Sequence, residues 1–579
     1  RTLSATIQYV LRGGHSSYGG STITQQLAKN LMNDQDDTGL AGVTRKIREM
    51  SRAYQIEKML SKQQILEQYL NIIYVGGTTI CGVENGAKYY FSKSAKDLSL
   101  AEAAFMAGIN HSPNSYNPFW YEGDEEVTEA IKTRTKTVLA EMKDQNRISD
   151  DPEEAERLYN EAVAEVDAGL KFKEGEFDNN TQMTYHTAAA IEEVIQDLAE
   201  AKDVDYKMAR NMLSTGGYRI YTTQNTEIQD RMEEEYVKDE YIYYARTTGG
   251  PKENKEHTQS GMIIIDNKTG YVVGCMGGLG TDVNATGLNR AQSPRQTGSA
   301  IKPLANVIPG LEEGVITAAT VYDDTRADFG GGYSPKNVAN YRGLTTVRKA
   351  IEVSSNVVNM KILSNVGPST AIEYLQDMGL EHINPDLDNN LALAIGGMSE
   401  GATPLEMAAA YESIANGGEY TEPTFYTKVE DSDGNVILES TQETRRVMEE
   451  TTAYITADIL KDVVTGSSGT AYMCKISGID VAAKTGTTDS KKDKWLCGFT
   501  PYYSAATWVG YDTPEEVRSG NADAAQQIWA RIMKDIHSDL DDAEFEEPSG
   551  ITSARICLQS GKLATKSCTQ TYTEIFKAG

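Results

Sequence analysis

The stretch Arg295-Gln-Thr-Gly-Ser-Ala-Ile-Lys-Pro303 places a lysine three residues after a serine, in the pattern S-x-x-K. Two more short motifs follow in chain order, Ser354-Ser-Asn356 and Lys484-Thr-Gly486, and Thr487 extends the last to K-T-G-T. Any one of them occurs by chance in a chain of 579 residues, as a helix cap, a turn or a solvated strand end. The three in this order indicate a nucleophilic serine site.

Chemistry explains why the first two motifs contain these residue types. A serine hydroxyl is a weak nucleophile and needs a base. If a helix begins at Ser299, Lys302 lies one turn later on the same face, within reach of the serine oxygen. Burial and nearby cations would lower the pKa of the Lys302 amine enough for it to act as that base. The unpaired N–H groups at the helix start can face an oxyanion. On a loop, Ser354 and Asn356 offer a proton relay and an amide clamp.

The third motif is followed by residues typical of a strand. It therefore predicts an edge strand along which an extended peptide can pair. Gly486 allows the backbone of a substrate to approach closely. Lys484, Thr485 and Thr487 are suited to holding a carboxylate.

Residues 217–511 alternate between strand and helix signals. Apolar runs separated by turn residues predict β-hairpins, and longer periodic stretches predict helices. The predicted strand pairs are Met262–Ile265 with Tyr271–Cys275, a hairpin turning at Asp433-Gly434, and Trp495–Phe499 with Ala505–Tyr511; the predicted helices are Leu344–Leu363 and Thr403–Ala415. Strands, then helices, then strands favour an α+β domain with an antiparallel sheet.

Residues 1–120 are predicted to be helical. Ser61 and Gln64 have the spacing of a capping box at a helix start, and Ala101–Ile109 is a short apolar helix. Glu49 follows Lys46 by three residues and shares its helix face. The basic residues near it could neutralise a pyrophosphate, and they are Lys29, Arg45, Lys46 and Arg48.

Composition excludes several classes of protein. The formal net charge is −29, which argues against nucleic-acid binding. None of the six cysteines forms a C-x-x-C pair, and the six histidines are dispersed, so no metal site is expected. No apolar run is long enough to span a membrane.

The ordered motifs resemble those of the penicillin-binding proteins and serine β-lactamases. The flanks Arg295–Pro303, Gly396-Gly-Met-Ser-Glu-Gly-Ala-Thr-Pro404 and Ala483–Thr488 resemble the bifunctional class A penicillin-binding proteins. This resemblance implies a multidomain protein. A mainly α, lysozyme-like glycosyltransferase head over 1–170 and a small mixed linker over 171–255 come first. An α+β transpeptidase domain over 256–545 follows, with an antiparallel five-stranded sheet flanked by helices as in serine β-lactamases, and then a tail over 546–579.

The resemblance also implies roles for the serine site. Ser299 would attack the D-Ala-D-Ala bond of a stem peptide with Lys302 as base, and β-lactams would react at the same serine. Ser354 would deliver a proton to the leaving group, and Asn356 would orient the substrate. The carboxylate end would be bound by Lys484, Thr485, Gly486 and Thr487. The N–H groups of Ser299 and Thr487 would form the oxyanion hole, and no cofactor is expected.

The head resembles the family 51 peptidoglycan glycosyltransferases, through Gly19-Gly-Ser-Thr-Ile-Thr-Gln-Gln-Leu-Ala-Lys-Asn30 above all. This implies that lipid II is polymerised into nascent glycan strands, with Glu49 as the family's second catalytic glutamate. The predicted phosphate contacts are Lys29, Arg45 and Lys46, and the predicted cleft residues are Ser21, Thr22, Gln25 and Gln26. The need for a divalent metal in glycosyl transfer stays open.

Two features of the family are expected upstream of Arg1. Residues 1–18 contain no acidic residue, so the E-D-x-x-F motif with the general base would precede the chain, together with the membrane anchor. The chain as given is then expected to polymerise no lipid II. The family works on the extracytoplasmic face of the cell membrane, where Cys557 and Cys568 are expected to pair.

Two alternatives are weaker. A hydrolase of the β-lactamase or carboxypeptidase type would carry the same three motifs but not the glycosyltransferase head. A non-enzymatic penicillin sensor would have lost some of the site residues, and none is lost here.

Overall fold

The structure is a computed structural model that describes residues 21–32, 39–76, 80–110, 112–121, 123–175, 183–245, 256–281, 285–330, 332–431, 433–518 and 523–578. The side chains of residues 30–32 and 39–45 lie outside this description. The chain forms two compact units. The smaller comprises residues 1–181, 198–219 and 430–435, and the larger comprises 182–197, 220–429 and 436–579. The predicted division into four segments stays a prediction.

The smaller unit is mainly helical, as the sequence predicts. Its elements, with α8 divided between the units, are α1 (Ile23–Met32), α2 (Gly39–Met59), α3 (Lys62–Ile72), β1 (Tyr74–Gly76), β2 (Ile80–Cys81), α4 (Val83–Phe91), α5 (Leu100–Ile109), α6 (Glu125–Asp144), α7 (Pro152–Ala168), α8 (Tyr185–Lys202) and α9 (Tyr206–Thr215). The predicted capping box is confirmed, because Ser61 accepts a hydrogen bond from the Gln64 N–H and the Gln64 side chain bonds back to the Ser61 N–H. An aromatic core formed by Tyr90, Phe91 and Phe105 packs α4 against α5.

The larger unit is built on an antiparallel five-stranded sheet, whose strands lie side by side in the order Ala482–Thr487, Asp493–Phe499, Tyr503–Gly510, Gln259–Asp266 and Val272–Met276. The helices that pack on these strands are Thr226–Tyr236, Pro404–Ala415, Glu450–Thr465 and Ala524–Ile536. The elements are β3 (Arg219–Thr222), α10 (Thr226–Tyr236), β4 (Gln259–Asp266), β5 (Val272–Met276), α11 (Ile308–Glu312), β6 (Val321–Asp324), β7 (Gly343–Thr346), α12 (Val347–Glu352), α13 (Asn356–Val366), α14 (Pro368–Asp377), α15 (Pro404–Ala415), β8 (Glu419–Thr421), β9 (Tyr426–Glu430), β10 (Val436–Glu439), β11 (Thr444–Arg446), α16 (Glu450–Thr465), β12 (Ala482–Thr487), β13 (Asp493–Phe499), β14 (Tyr503–Gly510), α17 (Ala524–Ile536), β15 (Ile551–Cys557) and β16 (Thr571–Lys577). The three predicted hairpins and the α+β class are confirmed.

One predicted helix, Leu344–Leu363, is wrong as a continuous element. Its start lies in β7, and the rest is divided between α12 and α13. The division falls at Ser354, whose backbone is left-handed with φ +55°. Its N–H donates to the Ile351 carbonyl, and the next N–H donates to the Ala350 carbonyl. This is the Schellman arrangement that ends a helix, usually at a glycine. Helical periodicity continues across Ser354, so the pattern of apolar residues predicts no break there.

A buried arginine ties the β15–β16 hairpin to the rest of the larger unit. Arg348, on α12, donates from Nε to Glu574 on β16 at 2.8 Å. Its other nitrogens bond to Asp458 and Asp462 on α16. The Glu574 side chain is 1% exposed, so this ion pair lies away from solvent.

The same hairpin holds two cysteines expected to pair. In the structure Cys557 and Cys568 are free thiols. A hydrogen bond from the Cys568 side chain lowers the pKa of the Cys557 thiol to about 7. The two sulfur atoms are therefore neighbours, and their oxidation to a disulfide stays a prediction.

The carboxyl group of Glu193, on α8, is expected to make the free energy of unfolding depend on pH. Glu193 bonds to the Thr424 hydroxyl and to the Phe425 N–H at 2.8 Å. Burial raises its pKa from 4.5 to about 7. The folded state therefore holds a proton that the unfolded state loses between these pH values, so stability falls as pH rises from 4.5 to 7. Glutamine mimics the protonated acid.

We expect Glu193→Gln to be more stable than the wild type at pH 8, by up to about 3 kcal/mol, and much less so at pH 5. Urea unfolding followed by tryptophan fluorescence measures this, because Trp495, Trp508 and Trp529 are buried in the larger unit. Glu373→Gln changes an exposed glutamate on α14 and serves as the control. An equal effect of Glu193→Gln at both pH values would contradict the assignment.

Among the described residues, no helix is both long enough and apolar enough to cross a membrane.

Candidate active site

Ser299 lies on a tight turn and not on the α-helix that the sequence predicts. Residues Gly298–Ile301 form a 3₁₀ helix, and Pro303–Val307 continue as a π-helical turn into α11. A 3₁₀ helix has three residues per turn, so Lys302 still follows Ser299 by one turn. Ser299 is half-buried. Within the described part of the chain, its hydroxyl has no hydrogen bond to a side chain, and the predicted contact with Lys302 is not formed in this state.

Two buried lysines meet at the hydroxyl of Ser354. Lys302 Nζ donates to Ser354 Oγ at 3.2 Å, to the Ser354 carbonyl at 2.9 Å and to Asn356 Oδ1 at 2.7 Å. Lys484 Nζ donates to the same Ser354 Oγ at 2.9 Å and to the Thr485 carbonyl at 2.9 Å. The structure thus brings together four of the predicted residues, and the first and last of them, Lys302 and Lys484, are 182 positions apart in the sequence. Asn356 acts from the first turn of α13 and not from the predicted loop.

Burial controls the charge of both amines. It lowers the pKa of Lys302 well below its ordinary value, and the nearby Lys484 lowers it further. Burial lowers the pKa of Lys484 to about 7. Two ammonium groups on one hydroxyl repel each other, so the pair favours a state with at least one neutral amine. A lysine can accept a proton from a serine only when its amine is neutral, so this state suits a catalytic base.

The left-handed backbone at Ser354 serves this network. A non-glycine residue in that conformation costs of the order of 1–3 kcal/mol. The Schellman turn holds Ser354 there, and its hydroxyl lies between the two amines. We infer that the strain is retained for the position of this hydroxyl.

Close backbone contacts join the serine turn to the end of β12. A Cβ atom on Gly298, whose φ is +50°, would lie 2.5 Å from the Thr487 carbonyl oxygen and 3.0 Å from its nitrogen. A Cβ atom on Gly396, with φ +88°, would lie 2.3 Å from the Gly298 carbonyl. Only glycine fits at both places. The backbone of Thr487 therefore lies beside Ser299, where the predicted oxyanion hole would form.

The site opens into a cleft of about 670 Å³. The predicted residues Ser299, Ser354, Asn356, Thr485 and Thr487 line it. Other lining residues belong to none of the three motifs and were not predicted, and they are Tyr333, Thr470, Asp489 and Lys494.

Thr470 is held in the cleft by a hydrogen bond, with its Oγ 2.8 Å from that of Thr485. The run Gly466-Ser-Ser-Gly-Thr470 indicates a loop. Because this loop belongs to none of the three motifs, nothing in the sequence indicates that Thr470 lies in the site.

A second set of predicted residues meets in the smaller unit. Glu49 is buried and accepts a hydrogen bond from Lys46 Nζ at 2.5 Å. The same amine donates to Ser21 Oγ at 2.7 Å. These contacts join α2 to the residues before α1, in agreement with a shared site.

The remaining head residues have other surroundings. Thr22 and Gln25 bond to each other at the start of α1. Gln26 accepts from the Tyr69 hydroxyl on α3, and Lys29 is exposed. The side chain of Arg45 lies outside the described residues. The pyrophosphate site therefore stays a prediction.

In the described ranges, no group of three His, Cys, Asp or Glu side chains is arranged to hold a metal ion.

Comparisons with known proteins identify the family. The Transglycosylase family matches residues 1–143, the Penicillin binding protein transpeptidase domain matches 260–534, and the C-terminal domain of penicillin-binding protein 1A matches 547–579. Penicillin-binding protein 1A of Clostridium perfringens (strain ATCC 13124) is 37% identical over 588 residues, which cover 98% of this chain and 69% of that protein.

Two other proteins are similar to the chain, one in sequence and one in fold. Penicillin-binding protein 1A of Clostridium botulinum (strain Langeland) is 36% identical over 562 residues, covering 95% of this chain and 66% of the relative. The crystal structure of penicillin-binding protein 1A from Haemophilus influenzae shares the fold, with a TM-score of 0.65 and 22% identity over 96% of this chain and 93% of that one. The chain spans about two thirds of the length of the curated relatives it matches.

One chain thus combines the three ordered motifs around Ser299 with a helical region that matches the Transglycosylase family, and this combination is typical of a bifunctional class of cell-wall protein. The chain belongs to the class A penicillin-binding proteins. The match over residues 1–143 disfavours the alternative of a stand-alone hydrolase.

Proposed function

We propose that the protein synthesises peptidoglycan, and that its larger unit is a D,D-transpeptidase that cross-links stem peptides through an acyl-serine. One observation carries the proposal. The Ser354 hydroxyl lies between the amines of Lys302 and Lys484, in the cleft that Ser299 lines. This arrangement provides a nucleophile, a base of lowered pKa and a route for the proton.

Acylation uses these groups in sequence. Ser299 Oγ attacks the carbonyl carbon between the two D-alanines, and its proton passes to Lys302 Nζ. The N–H groups of Ser299 and Thr487 stabilise the oxyanion. The C–N bond then breaks, and the proton reaches the departing D-Ala amine through Ser354 Oγ. Asn356 orients the peptide. The product is an ester of Ser299 with the shortened stem.

Deacylation completes the cross-link. The amine of a second stem peptide attacks the ester carbon and gives up a proton to the same base. The ester bond breaks, Ser299 recovers its hydrogen, and a new amide joins the two stems. These steps need no metal and no cofactor. β-Lactams have a strained amide with a carboxylate nearby and acylate Ser299 in the same way.

The smaller unit would supply the strands that are cross-linked. We propose lipid II as its substrate and an undecaprenyl pyrophosphate as the leaving group. Support comes from the buried Glu49 beside Lys46, because a carboxylate and an ammonium side by side can assist transfer from an anionic donor. Lipid II is held in the bilayer, so the protein would act at the extracytoplasmic face of the cell membrane.

Labelling with a fluorescent penicillin tests the proposal. We expect one covalent label per chain, located at Ser299 by peptide mass spectrometry, and none in Ser299→Ala. Ser293→Ala, on the same connection to the serine turn, is the matched control and should be labelled normally. A label on another serine would refute the assignment. A label that is lost within seconds would favour a β-lactamase, because a transpeptidase holds the acyl group.

A further inference from the structure

Lys494 on β13 is a buried lysine that the three motifs do not include. It pairs with Thr487 in the register of β12 and β13, and its residue is only 9% exposed. The nearest polar partner of its ammonium is Thr487 Oγ, at 3.5 Å. Among the described residues, no carboxylate lies within ion-pair distance of Lys494. A buried ammonium without a counter-ion is costly unless something binds it.

The acidic residues around Lys494 do not neutralise it by contact. Burial lowers the pKa of Lys494, and Asp523 and Glu516, which act on its ammonium only at longer range, partly oppose this shift. Glu516 is shared with Lys491, whose Nζ lies 3.9 Å from its carboxylate. Asp493, the neighbour of Lys494 on β13, bonds instead to Trp508 Nε1 and the Thr488 hydroxyl.

Lys484, the lysine of the third motif, is already engaged, and Lys491 and Lys492, which also line the cleft, are exposed to solvent. Lys484 is fully buried, and its amine donates to Ser354 Oγ and the Thr485 carbonyl. Its pKa of about 7 leaves it only partly charged near neutral pH. Lys484 is therefore suited to proton transfer, and its amine is already taken up by the Ser354 network, so another lysine is needed to supply the charge for a ligand carboxylate.

The position of Lys494 fits that need. Both Thr487 and Lys494 line the cleft that contains Ser299. Thr487 is exposed there, and its hydroxyl oxygen lies 3.5 Å from the Lys494 ammonium. An anion bound to this hydroxyl would come within a few ångströms of the ammonium.

We propose that Lys494 is a specificity-determining residue, which supplies the positive charge for the terminal carboxylate of the ligand held at Thr487. The proposal rests on the proposed transpeptidase function. It assigns Lys484 chiefly to proton transfer and Lys494 to charge recognition. The same carboxylate belongs to D-Ala-D-Ala stems and to β-lactams.

A pair of β-lactams tests this division. Benzylpenicillin carries the carboxylate, and its methyl ester lacks the charge. The acylation rate constants of both are measured by intact mass, and their ratio reports recognition of the carboxylate. A charge-assisted hydrogen bond contributes enough for about a tenfold change. We expect the acid-to-ester ratio to fall about tenfold or more in Lys494→Met and to be largely kept in Lys494→Arg.

Controls separate the possible outcomes. Lys492→Met removes an exposed lysine that also lines the cleft, and Lys268→Met removes an exposed lysine outside it. Both variants should keep the ratio within about twofold of the wild type. Lys494→Gln, which keeps a donor for Thr487, must also lower the ratio, and it replaces the methionine variant if that one does not fold. An unchanged ratio in a folded neutral variant overturns the role of Lys494 alone. A wild type that neither compound acylates at Ser299 overturns the proposed function as well.

Discussion

Replacing Lys302 by alanine is expected to slow the acylation of Ser299 by at least about 10²-fold, the lower end for loss of a general base. The amine is fully buried, and its lowered pKa allows it to be neutral and to accept the serine proton. In the structure it bonds to Ser354 and Asn356 but not to Ser299. Contacts of a catalytic base often close only when substrate binds. Stopped-flow mixing with a fluorescent penicillin measures the rate.

A control distinguishes chemistry from a general loss of charge. Lys268→Ala removes an exposed lysine on the β4–β5 turn and should leave the rate unchanged. Lys302→Arg keeps a cation that cannot become neutral, so it should be as slow as the alanine variant. Normal acylation in Lys302→Ala would assign the base to another group.

Replacing Arg348 by methionine is expected to destabilise the larger unit by about 3–5 kcal/mol, because the buried carboxylate of Glu574 loses its partner. Asp458 and Asp462 lose hydrogen bonds as well. Urea unfolding followed by tryptophan fluorescence measures the loss. The double variant Arg348→Met with Glu574→Leu removes both charges and should recover much of the stability.

An exposed ion pair provides the comparison. Arg446 and Glu419 are 51% and 45% exposed, and Arg446→Ala should cost about 1 kcal/mol or less. If Arg348→Met cost no more than this, the hairpin would not depend on the buried pair.

Local signals predicted much of the fold. Ser61 and Gln64 formed the expected capping box because both partners lie within one turn. The β4–β5 hairpin formed where alternating apolar residues flank a turn. These features depend on neighbours in sequence, which periodicity and turn chemistry describe.

The rest depends on residues brought together from afar. The turn that ends a helix at Ser354 contains no glycine, so the sequence predicts a continuous helix through this position. The three motifs gave the residue types of the site but not that one hydroxyl would bridge two lysines. The sequence does not indicate a role for Lys494, because a lysine is normally exposed to solvent. Only the packing of β13 shows that this lysine is buried.

The pair of Arg348 and Glu574 also sets a delay during biosynthesis. Their hydrogen bond joins residues 226 positions apart, so at about 5–20 residues per second the ribosome adds the glutamate about 10–45 s after the arginine. Until Glu574 is added, the carboxylates available to the Arg348 guanidinium are those of Asp458 and Asp462 on α16. Arg348 lies on α12, the helix that immediately precedes Ser354 and Asn356. A nascent chain that stalls before residue 574 would thus present an incompletely neutralised interior and become a target for chaperones or proteases.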